Sequence, residues 1–198
     1  KVETWGTSLM DLGVGSFVFS MGIVSMRSVT KNEFNGKTES YAARVWKSVT
    51  GSITSLLMGF LRVFFVKSLD YQEHVSEYGV HWNFFITLVL VGPLSIVLEP
   101  VFRFIPRFLV SFIIALAYEW FIVNQKELLP YLLTAPRTDF VSANREGLFS
   151  LIGYLAIFLA GQSVSFFLLP STPTKNNLYK ASSKNQILSQ KNRKYSLF

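Results

Sequence analysis

"GLFSLIGYLAIFLAGQSVSFFLLP", Gly147 to Pro170, carries no charged side chain from end to end. It exceeds the roughly 20 residues a helix needs to cross a bilayer. Its apolar character runs on without strict alternation, which predicts a membrane helix and excludes a barrel strand. Four further stretches read the same way: about 7–26, 49–66, 82–98 and 105–123. The expected fold is therefore all-α, a polytopic membrane bundle with about five transmembrane helices in this chain. The third and fourth stretches are separated only by "EPVFRFIP". Pro100 and Pro106 predict a break there, because proline lacks the N–H a continuing helix needs.

Composition agrees. Half of the 198 residues are hydrophobic and 19 are Phe, more than a soluble domain usually carries. With no cysteine there is no disulfide framework, no thiolate nucleophile and no Cys-based metal site. The net charge of +7 gathers in Arg27 to Lys47 and Lys175 to Lys194, both flanking apolar runs. That is the pattern of cytoplasmic flanks on spans, so nucleic acid is not the expected partner. Residues 171–198, rich in Lys, Asn and Ser, read as a solvated tail or loop, disordered by composition. No charged–apolar–small leader follows Lys1, so the sequence reads as an internal piece of a longer protein.

Basic residues set the expected orientation. The loops after the first and third spans, with the tail, are richer in Lys and Arg than the loop holding only Lys67. They belong on the cytoplasmic side, which puts 67–81, 124–146 and the start of the first span, with Asp11, on the opposite side.

That opposite side collects the polar chemistry. "LDYQEHVSEYGVHWNFF", Leu69 to Phe85, holds both histidines of the chain, three carboxylates and five aromatics. His81 stands at the entrance to the third span, and an imidazole is suited to taking a proton from a hydroxyl near neutral pH. An interfacial histidine in an aromatic belt is the competing reading. His74 shares a helical face with Glu77 and Tyr78, but two histidines without cysteine make a poor zinc signature, and no metal is expected. Asp11 lies inside an apolar span, where a carboxylate costs roughly 2.5–3.5 kcal/mol unless it faces a polar interior. Gly13 and Gly15 beside it permit close approach to the backbone. Arg62 is either an interfacial cation or a ligand for an anionic group such as a phosphate. Glu119, between Tyr118 and Trp120, reads as interfacial. "TAPRTDFVSANREG", Thr134 to Gly147, adds Arg137, Asp139, Asn144, Arg145 and Glu146 on the same side. No lipase-type serine elbow and no phosphate-cradling loop is present.

Three stretches, "SLMDLGVGSFVFSMGIVS" (Ser8 to Ser25), "DYQEHVSEYGVHWNFF" (Asp70 to Phe85) and "ANREG" (Ala143 to Gly147), closely resemble the glycosylphosphatidylinositol (GPI) inositol-acyltransferase family, called PIG-W in mammals. The resemblance is to a fungal member and covers nearly the whole chain. It implies a multi-pass enzyme of the endoplasmic-reticulum membrane, more than twice this length, with the quoted stretches facing the lumen. It also implies the reaction: transfer of a long acyl chain from acyl-CoA, a co-substrate with no bound cofactor, to an inositol hydroxyl of glucosaminyl-phosphatidylinositol.

Acyl transfer to an alcohol needs a base, donors for the developing oxyanion, and a means of holding both lipids in register. Asp11 and His81 are the expected catalytic pair, one acting as base and the other orienting it. Arg62 and Arg145 are the expected ligands for phosphate or oxyanion. Tyr71, Gln72, His74, Glu77, Tyr78, Trp82, Asn83 and Asn144 are expected to line the acceptor pocket. Membrane lipids surround the spans, and oligomeric state is not legible. A lipid or ion transporter using intramembrane Asp11, Arg62 and His81 is the alternative from another class.

Overall fold

The computed structural model describes residues 9–34, 39–68, 80–125 and 128–168. These residues are helical with no strand among them. In order they form α1 (Leu9–Phe34), α2 (Tyr41–Gly51), α3 (Ile53–Ser68), α4 (Phe84–Val97), a 3-10 turn (Val101–Arg103), α5 (Arg107–Asn124), α6 (Leu128–Thr134), α7 (Phe140–Ala143) and α8 (Arg145–Leu168). The physical reason is the solvent: in hydrocarbon every backbone group must be satisfied internally, and a helix does that within one segment.

Three stretches among the described residues are long and apolar enough to cross a membrane: Tyr41–Phe65, Arg107–Asn124 and Arg145–Leu168. The first joins α2 to α3. Ser52 donates its N–H to Ser48 O at 3.1 Å and accepts from Leu56 N–H at 2.9 Å, which carries the helical ladder across the junction. Phe84–Val97 is apolar but shorter. In α1, a helix of 26 residues, Asp11 is the lone charge before Arg27. The proline break falls where expected: α4 ends at Val97, Pro100 opens the 3-10 turn, and α5 starts directly after Pro106. Large side chains such as Phe60, Phe64, Phe112, Leu116 and Trp120 are exposed along the helices, as a lipid-facing surface requires. The protein is an all-α, polytopic membrane protein.

The chain divides into two compact units. The first comprises residues 1–41, 98–112 and 156–198, the second residues 42–97 and 113–155. Lipid tails are as apolar as leucine, so helices in a bilayer associate through close packing and interhelical hydrogen bonds rather than hydrophobic burial. The first unit uses both. A β-carbon built on Gly22 would collide with the carbonyl oxygen of Phe158, and one on Gly161 with that of Phe19. The α1 and α8 backbones therefore touch through two reciprocal glycines. Val18, Met26, Phe158 and Leu159 close over this crossing and are buried. Gln162 Nε2 donates to Ser25 Oγ at 3.2 Å, and Ser111 Oγ of α5 donates to Ala156 O at 2.7 Å. The Arg107 guanidinium sits over the Phe102 ring at 4.7 Å and near the Phe166 ring at 5.4 Å.

In the second unit α3 packs against α4. Gly59 makes room for Asn83 and Phe85, and Gly92 for Ser48. Thr87 and Val91 are fully buried on α4. The α5 and α8 portions of this unit meet through Tyr118 against Gly153 and through parallel Phe121 and Phe149 rings 6.4 Å apart. Phe84 meets Tyr154 edge-on at 6.1 Å.

Candidate functional site

Three consecutive residues at the start of α8 organise the second unit, and each reaches a different segment. Asn144 is fully buried, Arg145 is 2% exposed, and the Glu146 side chain is 9% exposed. Polar groups so deep must be bonded, because an unmet one costs about 1–3 kcal/mol.

Arg145 meets this demand with backbone. Its Nε donates to Leu132 O at 3.0 Å, Nη2 to Ala135 O at 2.8 Å, and Nη1 to Pro136 O at 3.4 Å. Those carbonyls lie at and just beyond the C-terminal end of α6, where a helix leaves acceptors unpaired and its dipole favours a cation. The guanidinium also lies 5.0 Å from the Tyr131 ring centroid. Glu146 stands in the first turn of α8, the favourable end for a carboxylate. It takes a two-pronged bond from Arg137, with Nη1 3.0 Å from Oε2 and Nη2 on Oε1. Arg137 Nη1 also donates to Ala143 O at 2.9 Å. The fork geometry matches a carboxylate as lysine could not. Between them α7 is held by its entry: Asp139 N–H donates to Ser142 Oγ at 2.8 Å, and that hydroxyl donates to Asp139 O at 2.9 Å.

Asn144 reaches the third segment. Its Oδ1 accepts from the His81 N–H at 2.8 Å while Nδ2 donates to Phe140 O at 2.8 Å. Alongside, Val80 N–H donates to Ala143 O at 3.0 Å. The backbone of 80–81 is thus laced to 143–144, and the His81 ring lies parallel to Phe140, 6° between planes and 6.2 Å between centroids. Both rings are exposed. The result is an accessible imidazole on a fixed backbone, backed by an aromatic ring.

The next two residues anchor this segment from the other side. Trp82 Nε1 donates to Thr87 Oγ1 at 2.9 Å. Asn83 precedes α4 as its N-cap, its Oδ1 accepting from Ile86 N–H at 3.0 Å. Its Nδ2 crosses to Gly59 O of α3 at 2.8 Å. Losing both bonds at a buried position gives a direct expectation. Asn83→Ala should cost about 1–2 kcal/mol, from the lost cap and the lost bond to the Gly59 carbonyl. Thermal unfolding of the full-length protein in detergent checks it; an unchanged midpoint would contradict this account of Asn83.

Of the residues singled out from sequence, the structure joins His81, Trp82, Asn83, Asn144 and Arg145 in the second unit. Arg62 is on α3, three positions past Gly59, with an exposed side chain. Asp11, in the first turn of α1, belongs to the first unit and is exposed. Tyr71, Gln72, His74, Glu77 and Tyr78 lie outside the described residues, as do 171–198. Asn83, Asn144 and Arg145 were expected to face the acceptor. They are buried, and their polar atoms are engaged with backbone groups. Sequence reading did not single out the Arg137–Glu146 fork or the Phe140 ring. Both fork residues are in the charged run it flagged, but charges nine apart across a turn carry no periodic signal.

The model of the family described as GWT1 matches residues 1–197. The chain is 51% identical over 191 residues to the GPI-anchored wall transfer protein 1 of Saccharomyces cerevisiae, covering 96% of this chain and 39% of that protein. It is 48% identical over 184 residues to the Candida glabrata protein of the same name (92% and 38%). Against the Yarrowia lipolytica one it is 53% identical over 171 residues (85% and 34%). The chain thus spans about two fifths of the length of the curated relatives it matches.

Proposed function

This chain belongs to the GWT1 family, and from that premise we propose that it forms part of a membrane acyltransferase of GPI-anchor biosynthesis. In this reading the whole protein moves a long acyl chain from acyl-CoA to the inositol ring of glucosaminyl-phosphatidylinositol, in the endoplasmic-reticulum membrane. The relatives' shared name, which refers to GPI anchoring, favours this over lipid or ion transport. The observation that carries the chemistry is the accessible His81 imidazole on a backbone fixed by Asn144 and Ala143.

The roles follow. The His81 imidazole takes the proton of the inositol hydroxyl as its oxygen bonds to the thioester carbonyl carbon. The carbon–sulfur bond then breaks, and the departing CoA thiolate takes up a proton. Asp11 is the second catalytic group, as orienting carboxylate or as the base itself. Arg62 offers an exposed cation to the acceptor phosphate. Tyr71, Gln72, His74, Glu77, Tyr78 and Trp82 supply the polyol pocket. Arg145, Asn144 and Asn83 hold that arrangement in place, since their polar atoms are already spent on backbone groups.

The test is acylation of glucosaminyl-phosphatidylinositol by full-length protein in microsomes with added acyl-CoA. His81→Ala and Asp11→Asn are compared with wild type at matched amounts of folded protein. Removing a general base should lower the rate at least about 100-fold. Undiminished product from both variants would remove the proposed base, and no product from wild type would remove the reaction.

A further inference from the structure

Asn144 sits at a position whose ordinary job it does not perform. It immediately precedes α8, and Leu148 N–H donates to its carbonyl at 3.1 Å, so it is the N-cap of that helix. Asparagine is favoured there because its side-chain oxygen accepts from the first-turn N–H groups. Here the oxygen turns away and accepts from the His81 N–H, 63 residues back in the chain. The amide nitrogen donates to Phe140 O. One buried amide therefore bridges the backbones of the two residues whose rings lie parallel. Both of its hydrogen-bonding ends are used, and the residue is fully buried, which shields its own end of each bond from water.

We infer that Asn144 is a positioning residue: it fixes the imidazole of His81 against Phe140 and acts on acyl transfer through His81 alone. This rests on the reading of His81 as a proton acceptor and adds what sets its position. The backbone bond fixes where the ring starts. Phe140, whose carbonyl the same amide holds, limits which way the ring turns. Cutting the amide leaves Val80 N–H on Ala143 O as the remaining tie of this segment to 143–144 among the bonds described. His81 would then keep its chemistry but sample a wider range of positions. A displacement of about 1 Å at a reacting group can cost up to about 100-fold in rate.

The experiment uses full-length protein in microsomes and measures kcat and KM for the acceptor lipid, per folded molecule. Asn144→Ser is the informative variant. Serine is also a good N-cap, and its short side chain can return to the Phe140 carbonyl four residues back, but it cannot reach His81. Asn144→Ala serves beside it. The expected result is a fall in kcat of about 10–100-fold with KM within about twofold, since binding is untouched and only placement is lost. In a His81→Ala background the Asn144→Ser change should have no further effect, because residues acting through one group are not additive.

Each other outcome overturns the inference in a recognisable way. Wild-type kcat in Asn144→Ser with an inactive His81→Ala means His81 needs no such anchor. Losses that multiply in the double variant mean Asn144 acts elsewhere. A raised KM with unchanged kcat makes it a ligand of the acceptor. An active His81→Ala overturns the reading of His81 itself, and the positioning role falls with it. A serine variant that loses folded protein, with normal kcat in what remains, makes the role structural only.

Discussion

Gly161→Leu should leave no folded full-length protein recoverable in detergent. Even one methyl group at Gly161 would meet the Phe19 carbonyl oxygen well inside van der Waals contact, and the Gly22 Cα lies 3.3 Å from that position. The obstacle is backbone on the facing helix, which cannot step aside as a side chain would. To admit an alanine, α1 and α8 must move apart, and overpacking of this kind costs about 1–3 kcal/mol. Leucine needs far more room and would also break the bond between Gln162 and Ser25, leaving an amide in hydrocarbon. Gly161→Ala should therefore lower the thermal midpoint and Gly161→Leu should abolish the monodisperse peak on gel filtration. Gly13→Leu is the control, since a β-carbon built there meets nothing within 4 Å. Equal behaviour of the two leucine variants would show that the glycine crossing is not what holds this unit.

The second large effect belongs to Arg145. Arg145→Ala removes donors from Leu132, Ala135 and Pro136 carbonyls at once. It empties the space of a nearly fully buried side chain and takes a cation 3.7 Å from the Glu146 carboxylate. Breaking a buried charged group away from its partners costs about 3–5 kcal/mol, much of a typical stability of about 5–15 kcal/mol. Arg145→Lys should rescue little, because one ammonium on a flexible stem cannot serve three carbonyls presented in different directions. Glu146→Gln should do less harm, since the amide still accepts from Arg137 although the charge is lost. The order Ala, then Lys, then Gln in thermal midpoint, lowest first, is the measurement. A lysine variant as stable as wild type would mean the site needs only a positive charge.

The helices were legible because lipid imposes one demand, an unbroken apolar run, and such runs are visible at a glance. The proline break after Val97 was legible for the same local reason. Close approach through glycine was anticipated too, but at Gly13 and Gly15 rather than at Gly22 and Gly161. Composition says that a small residue permits contact; it does not say which face of the helix meets a neighbour. "ANREG" stood out as a charged motif at a span entrance. Arg and Asn are what a phosphate and a polyol would need, so chemistry alone points Asn144 and Arg145 toward substrate. The structure spends them on carbonyls of α6, on Phe140 and on His81. Nothing in the chain signals a bond between residues 63 apart. Buried hydrogen bonding to backbone leaves no trace in residue type, since every residue except proline offers the same N–H and every one the same C=O.

The contact between α1 and α8 also sets a clock. Ser25 and Gln162 are 137 residues apart in the chain. At about 5–20 residues per second of synthesis, roughly 7–30 s pass between the emergence of one side of that contact and the other. Throughout this interval Gly22 of α1 stands without the α8 backbone that meets it in the finished fold. A chain halted in α7 would never supply that backbone. The crossing thus divides nascent molecules into those in which α8 has been made and those in which α1 still waits for it.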